Sequence, residues 1–264
     1  GIADTMKNII EVRKDVPSGT IVINNPSSGN ALTTFGMVQL RDALGDLHQE
    51  KNVRAVILTG SQRIFCSGTD LKQLQSDLDT EEMLPTHHDV ELLAELLLVM
   101  LRFPKPIIAA LNGPAVGLGL ALALAADFII AAEGATLQSP EIHRGLVPGL
   151  TLGLLEFRGG GAIAARFGLM GAAMTPAEAQ QFGLVHDVVD DDLIWARSQQ
   201  LAVDLAQGSA QAQQMCKRLL NETIAERLET TLTLGAAMVA ASRTTSHATE
   251  GINAYLEKRQ PDWD

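Results

Sequence analysis

The sequence predicts an α/β fold followed by an all-helical C-terminal section, on three observations. Three short runs, Val53 to Leu58, Ile107 to Leu111 and Phe128 to Ala132, are apolar at almost every position, as strands buried on both faces are. Segments between them carry apolar residues three and four apart, the spacing of one face of a helix. From Asp192 onward only that helical spacing recurs, in Ile194, Leu201 and Leu205, then Met215 and Leu219, then Leu228, Leu232 and Val239. The expected division is a mixed core over 1–191 and a helical region over 192–264.

Taken in order, residues 8–13 and 19–24 are short β-branched runs on either side of Pro17, Ser18 and Gly19, a hairpin pattern. NNPSSGN at 24–30 is a loop. Thr33 or Thr34 caps the next helix, which turns Met37, Leu40, Leu44 and Leu47 inward. After the first buried strand, GSQRIFCSGTDL at 60–71 is a glycine-bearing loop. Residues 75–88 are polar and acidic, with Pro85 near the end, and are expected to be mobile. Asp89 then starts a helix with Val90, Leu93, Leu97 and Leu101 inward, closed by Pro104 and Pro106.

The most informative stretch runs from Pro106 to Glu141. It opens with about twenty residues whose only polar side chain is Asn112, long enough to cross a bilayer. Asn112, Gly113 and Pro114 nevertheless form a turn inside it, so Ile107–Leu111 ends as a strand and no membrane span is expected. Gly117 and Gly119 lead into LALALAA, good helix formers that stop at Asp127. A strand, a glycine turn and a buried helix leave the unsatisfied N–H groups of the helix start beside a cavity, where they can hold a developing negative charge. The competing reading is that both glycines serve only close packing of helix on sheet.

After Glu141 comes IHRGLVPGLTLG, then an Ala- and Gly-rich stretch from Gly159 to Gly171 that reads as helix. Thr175 with Glu178 makes a capping-box start for a short helix ending near Gly183. Val185 to Val189 is a last strand.

Composition limits the function. The chain has 264 residues, 46% of them hydrophobic, enough for a sizeable core. A net charge of -11 opposes a phosphate backbone, and 4% aromatic residues leave few rings for base stacking, so nucleic acid is not an expected partner. Cys66 and Cys216 lie far apart and outside any CxxC pair, which predicts reduced thiols and a cytoplasmic location. The first residues, GIADTMKN, show neither an apolar signal core nor an Arg-rich leader. His87 and His88 are adjacent rather than at ligand spacing, so no metal is expected.

Four segments together resemble the crotonase superfamily, the enoyl-CoA hydratase/isomerase family. They are GNAL at 29–32, RIFCSGTDL at 63–71, NGPAVGLGLALALAAD at 112–127 and LQSPEIHRGLVPG at 137–149. A fifth, EGINAYLEKRQPDW from Glu250 to Trp263, is similar to the family's closing helix. The resemblance implies a crotonase-like spiral of ββα repeats, with a C-terminal helical trimerisation region that forms a homotrimer, often paired into a hexamer. It also implies an acyl-CoA substrate, with coenzyme A arriving as part of the substrate and no cofactor bound permanently. Carried over by position, the thioester oxygen lies between the N–H of Thr69, just after Gly68, and that of Leu118, between Gly117 and Gly119. Gly29, Ala31, Ser67, Gly68, Asp70, Leu71, Gly117, Ala121 and Lys258 fall at the family's substrate and CoA positions. Leu118 stands where a glycine is usual, and its isobutyl group narrows the acyl pocket. Gly29 replaces a basic residue that contacts the CoA phosphates, while Lys258 matches a C-terminal basic position that reaches the nucleotide.

In the family's hydratases two glutamates activate one water. The later one matches Glu141, and the earlier position is Ala121, whose methyl moves no proton. One carboxylate suffices to take a proton from the carbon next to the thioester and return it two carbons along, with the enolate held by the two amides. The resemblance with a single acid therefore implies a 3-enoyl-CoA to 2-enoyl-CoA isomerase. A hydratase whose second acid comes from elsewhere, a C–C hydrolase or lyase, and a non-catalytic acyl-CoA-binding member are the alternatives. An apolar pocket should raise the pKa of Glu141, as suits a general base. Gly149 stands where dienoyl-CoA isomerases and an aryl-CoA dehalogenase place an aspartate. His143 would share a face with Glu141 on a strand but is expected at the rim or CoA side. Asp70 is expected to anchor its loop, and Cys66 to be a small core residue.

Overall fold

Strand alternation divides the apolar runs between two cores. In the computed structural model, which describes residues 7–79 and 85–263, each run is a strand of one sheet. Val56, Leu58, Ile107, Ala109, Leu111, Ile129 and Ala131 point to one core, and Ala55, Ile57, Ile108, Ala110 and Ile130 to the other. Side chains on a strand alternate faces, so a run covered on both sides is apolar throughout.

The chain winds through a repeated unit: a strand in the large sheet, a short strand or bridge in a second layer, then a helix. β1 (Ile10–Asp15) and β2 (Ser18–Ile23) form the opening hairpin, followed by α1 (Thr34–Gln49). β3 (Ala55–Gly60) leads through bridging residues Cys66 and Thr69 to α2 (Leu71–Asp79) and α3 (Pro85–Arg102). β4 (Ile107–Leu111) is followed by β5 (Ala115–Val116) and α4 (Leu118–Ala125). β6 (Phe128–Ala132) is followed by β7 (Leu137–Gln138), a 3-10 turn over Glu141–Arg144 and α5 (Gly149–Gly159). Then come α6 (Gly161–Met170), α7 (Pro176–Gln181), β8 (Asp187–Val189), α8 (Ile194–Leu205), α9 (Ala210–Arg243) and α10 (Ser246–Leu256).

The large sheet runs in the order β1-β2-β3-β4-β6-β8, with β1 antiparallel to β2 and the remaining pairs parallel. In the second layer Leu32 bridges Thr69, Cys66 bridges Ala115, β5 pairs with β7, and Leu137 bridges Met174. Successive ββα turns therefore stack as a spiral. α8 covers the second face of the sheet, where Ala202, Ile194, Leu201 and Leu205 pack on Ile57 and Ile130.

The run that could have crossed a bilayer is instead β4, a turn and α4. Asn112 latches the turn by donating from Nδ2 to the carbonyls of Gly60 at 2.9 Å and Gln62 at 2.8 Å. Every residue of α4 is buried, and each of its leucines contributes roughly 1.5–3 kcal/mol by leaving water. Among the described residues no helix is long and apolar enough to cross a membrane. α9 is tied back to this core by Lys217 Nζ on Asp127 Oδ2 at 2.7 Å and by Asn221 Nδ2 on the Leu101 carbonyl at 2.6 Å.

One alternative is resolved and several elements differ from expectation. Thr33 rather than Thr34 caps α1, accepting from the Gly36 N–H at 3.0 Å. The polar stretch over 75–88 contains the end of α2 and the start of α3, and Gln75 Nε2 donates to Asn253 Oδ1 of α10 at 2.7 Å. Its residues 80–84 lie outside the described residues, as do residues 1–6 of the first segment. α3 begins at Pro85, a residue suited to the first turn, not at Asp89. α5 over 149–159 was not anticipated; its three glycines mask the pattern. The last strand is shorter than expected, at Asp187–Val189, and the predicted capping box of Thr175 and Glu178 is present.

Candidate active site

Two loops meet where side chains are absent. Cys66 bridges Ala115, and the Val116 N–H donates to the Cys66 carbonyl at 3.0 Å. A β-carbon on Gly119 would stand 2.1 Å from that same carbonyl oxygen, so only glycine lets α4 start this close. One on Gly68, at φ +98°, would stand 2.9 Å from the Val116 oxygen and 3.4 Å from the Leu118 nitrogen. The amides of Thr69 and Leu118 thus come close together beside a cleft of about 310 Å³, which both residues line. Leu32 donates to the Gly68 carbonyl at 3.0 Å, and in parallel pairing the N–H of the next residue, Thr69, faces away from that partner strand. Among the described residues neither the Thr69 nor the Leu118 N–H donates to another protein group.

The carboxylate arrives from the fourth turn of the spiral, after β6 and β7. Gly117, at φ 56° and ψ -118°, donates its N–H to the Gln138 carbonyl at 2.9 Å. A β-carbon there would stand 2.8 Å from Glu141 Oε1. The glycine therefore opens the space in which Glu141 sits, one residue before the Leu118 amide. Glu141 begins a 3-10 turn rather than lying on a strand. Buried Ser139 donates from Oγ to Glu141 Oε2 at 2.6 Å. Burial pushes the Glu141 carboxyl above its usual range, opposed by the Ser139 hydrogen bond, its own backbone N–H and the charge of Arg144.

Two other acids line the cleft, and both have partners. Asp70 Oδ1 accepts the Lys72 N–H at 3.0 Å, which anchors the start of α2. Asp89 forms a bidentate pair with Arg243, at 2.9 and 3.0 Å. Cys66 is fully buried, and burial pushes its thiol up to about 12. His143 is exposed and turned toward α6, with its Nε2 2.6 Å from where a β-carbon on Gly171 would stand. Glu141 and His143 do not share a face, because a 3-10 turn separates residues two apart.

A model of the family described as enoyl-CoA hydratase/isomerase matches residues 18–264. The chain is 33% identical over 245 residues to 2,3-dehydroadipyl-CoA hydratase of Escherichia coli, covering 92% of this chain and 93% of the relative. The chain belongs to the enoyl-CoA hydratase/isomerase family. A second Escherichia coli relative, 1,2-epoxyphenylacetyl-CoA isomerase, is 32% identical over 247 residues, 92% of this chain and 94% of its own. Among solved structures, an enoyl-CoA hydratase/isomerase from Mycobacterium paratuberculosis superposes with a TM-score of 0.85 at 28% identity, covering 94% of this chain and 98% of that one. The fold is the crotonase fold, and the family acts on acyl-CoA thioesters.

Of the positions carried over from the family, Ala31, Ser67, Gly68, Thr69, Asp70, Leu71, Gly117, Leu118 and Glu141 come together around the cleft. Gly29, Ala121 and Lys258 do not line it. Gly29 is a left-handed turn residue whose missing side chain makes room for Ser67 Oγ, and Ala121 is fully buried in α4. Lys258, at φ 56°, follows the end of α10. The enoyl-CoA hydratase/isomerase motifs pointed to none of Asp89, Val239 and Arg243, which also line the cleft. Arg144 and Tyr255 lie in quoted motifs, yet their stacking, guanidinium 4.3 Å over the ring, needed coordinates.

Proposed function

We propose that the chain is an enoyl-CoA isomerase that moves the double bond of a 3-enoyl-CoA to the 2 position through Glu141 alone. The observation that carries this reading is the contrast among the acids of the cleft: Glu141 faces Gly117 and the amide strip, Asp70 and Asp89 are held by a backbone N–H and an arginine, and position 121 offers only a methyl. In this mechanism the thioester oxygen sits between the Thr69 and Leu118 N–H groups. Glu141 takes a proton from C2, the charge moves onto that oxygen as a dienolate, and the two amides stabilise it. The same carboxyl returns the proton at C4, leaving the double bond between C2 and C3. No water is consumed, so a second acid to activate one is unnecessary. Burial raises the Glu141 carboxyl above its usual range, which favours its holding the proton between the two transfers.

A hydratase is the second reading, favoured by the relative named 2,3-dehydroadipyl-CoA hydratase. The deciding experiment supplies a 3-enoyl-CoA and a 2-enoyl-CoA in solvent enriched in heavy oxygen. Isomerisation predicts conversion of the first with no label in the product; labelled 3-hydroxyacyl-CoA would replace the isomerase by the hydratase. Glu141→Gln is expected to lower turnover at least about a hundredfold with the fold retained. Unchanged turnover would remove Glu141 from the mechanism.

A further inference from the structure

The 3-10 turn that delivers Glu141 ends on a cation, Arg144. Side chains three apart eclipse in a 3-10 turn, which puts Arg144 on the side of Glu141, and its charge acts on the Glu141 carboxyl. Both residues line the cleft. The guanidinium lies 4.3 Å over the ring of Tyr255, which lines the cleft as well. Stacking engages the flat face of a guanidinium and leaves the N–H donors around its edge. Among the described residues those donors meet no carboxylate within ion-pair distance and no other acceptor. Arg144 is half-buried and Tyr255 is 53% exposed, so a ligand entering the cleft reaches both. Joining the turn to α10 does not require this side chain: a β-carbon on Gly251 would stand 2.3 Å from the Arg144 carbonyl carbon, so backbone already packs on backbone there.

We propose, resting on the acyl-CoA reading above, that Arg144 is the cleft's binding site for an anionic oxygen group carried by the thioester. The groups with that chemistry are the phosphates of coenzyme A and a carboxylate on the acyl chain, and a planar fork of N–H donors matches either one bidentately. A ligand without such a group covers the guanidinium and returns no hydrogen bond for the water it displaces. Lys72 also lines the cleft and forms no ion pair among the described residues, but it is exposed, and water screens its charge.

The test is calorimetric and uses three saturated thioesters, which bind without being isomerised: butyryl-CoA, with phosphates only; a glutaryl thioester of pantetheine, with a carboxylate only; and a butyryl thioester of pantetheine, with neither. Arg144→Leu is expected to weaken binding of an anionic ligand about tenfold, the order of one hydrogen bond to a charged group, and to leave the uncharged thioester unchanged. The loss should shrink as salt rises, which a packing role would not produce. A loss confined to butyryl-CoA assigns a phosphate as the partner, one confined to the glutaryl thioester assigns the carboxylate, and a loss in both shows that the fork accepts either. No loss with either anionic ligand, or an equal loss with all three, would overturn the proposal. Arg144→Gln, which removes the charge and keeps a planar polar end, gives the same reading if the leucine variant does not fold. The isomerase reading is judged separately by turnover, and its failure leaves these binding measurements intact. Wild-type protein that binds none of the three would instead remove the acyl-CoA reading, and this inference with it.

Discussion

Ser139 opposes the effect of burial on how readily Glu141 ionises. Its hydroxyl donates to Oε2 at 2.6 Å, and a hydrogen bond to the charged form of a carboxyl lowers its pKa. Burial is the larger influence and raises it. Removing the hydroxyl leaves burial less opposed, so Ser139→Ala should raise the Glu141 pKa further. A base must be ionised in the free enzyme, so kcat/KM falls as pH drops through that pKa. The variant is therefore expected to lose kcat/KM at a higher pH than the wild type, with a smaller change on the alkaline side. A pH profile whose acidic limb does not move would mean that Ser139 only packs. At this scale Glu141 was legible because its motif sits at a recognisable distance from the glycine turn. Gly117 as its neighbour was not, because that approach is made between turns of the spiral; Ser139 is two residues away, but spacing alone does not specify a hydrogen bond between the two side chains.

α4 is the element on which the site depends. Its start carries Leu118, and its approach to the first loop is set by Gly119, where a β-carbon would stand 2.1 Å from the Cys66 carbonyl oxygen. That contact is with backbone, which cannot rotate aside. Gly119→Ala is expected to cost about 1–3 kcal/mol as overpacking, read as a lower midpoint in thermal unfolding. It should also lower turnover more than the stability loss explains, because Cys66 and Thr69 belong to one strip. Normal turnover in a destabilised variant would separate α4 from the catalytic geometry. The two glycines thus divide the competing readings: Gly119 serves close packing, and Gly117 opens space beside Glu141. α2 escaped sequence reasoning for a different cause. Its leucines, at 71, 74 and 78, are split between a glycine-bearing loop and a polar stretch, and it is held by Asp70 at its start and by Gln75 on Asn253 of α10, a contact between residues 178 apart.

The whole molecule leaves apolar side chains in water. Met215, Leu219, Leu220, Leu234 and Met238 of α9 are exposed, as are Leu169 and Met170 at the end of α6. Exposed apolar surface on this scale marks an interaction site, and we expect a trimer or a pair of trimers in solution, as the family resemblance implies. Light scattering at micromolar concentration should return three or six times the chain mass; a monomer would contradict it. Leu219→Lys with Leu234→Lys should lower that mass without unfolding the chain. The strands, the turn at Asn112 and the helical spacing after Asp192 were legible in the amino-acid sequence because each depends on neighbours two, three or four residues apart. So was Glu141, through the order of the motifs along the chain. Only the tertiary structure decided which acids of the cleft are already partnered, that Ala121 is sealed inside α4, and that Arg243 meets Asp89. Those pairings join residues up to 154 apart, and their distances follow from how the turns of the spiral stack, which local spacing does not encode.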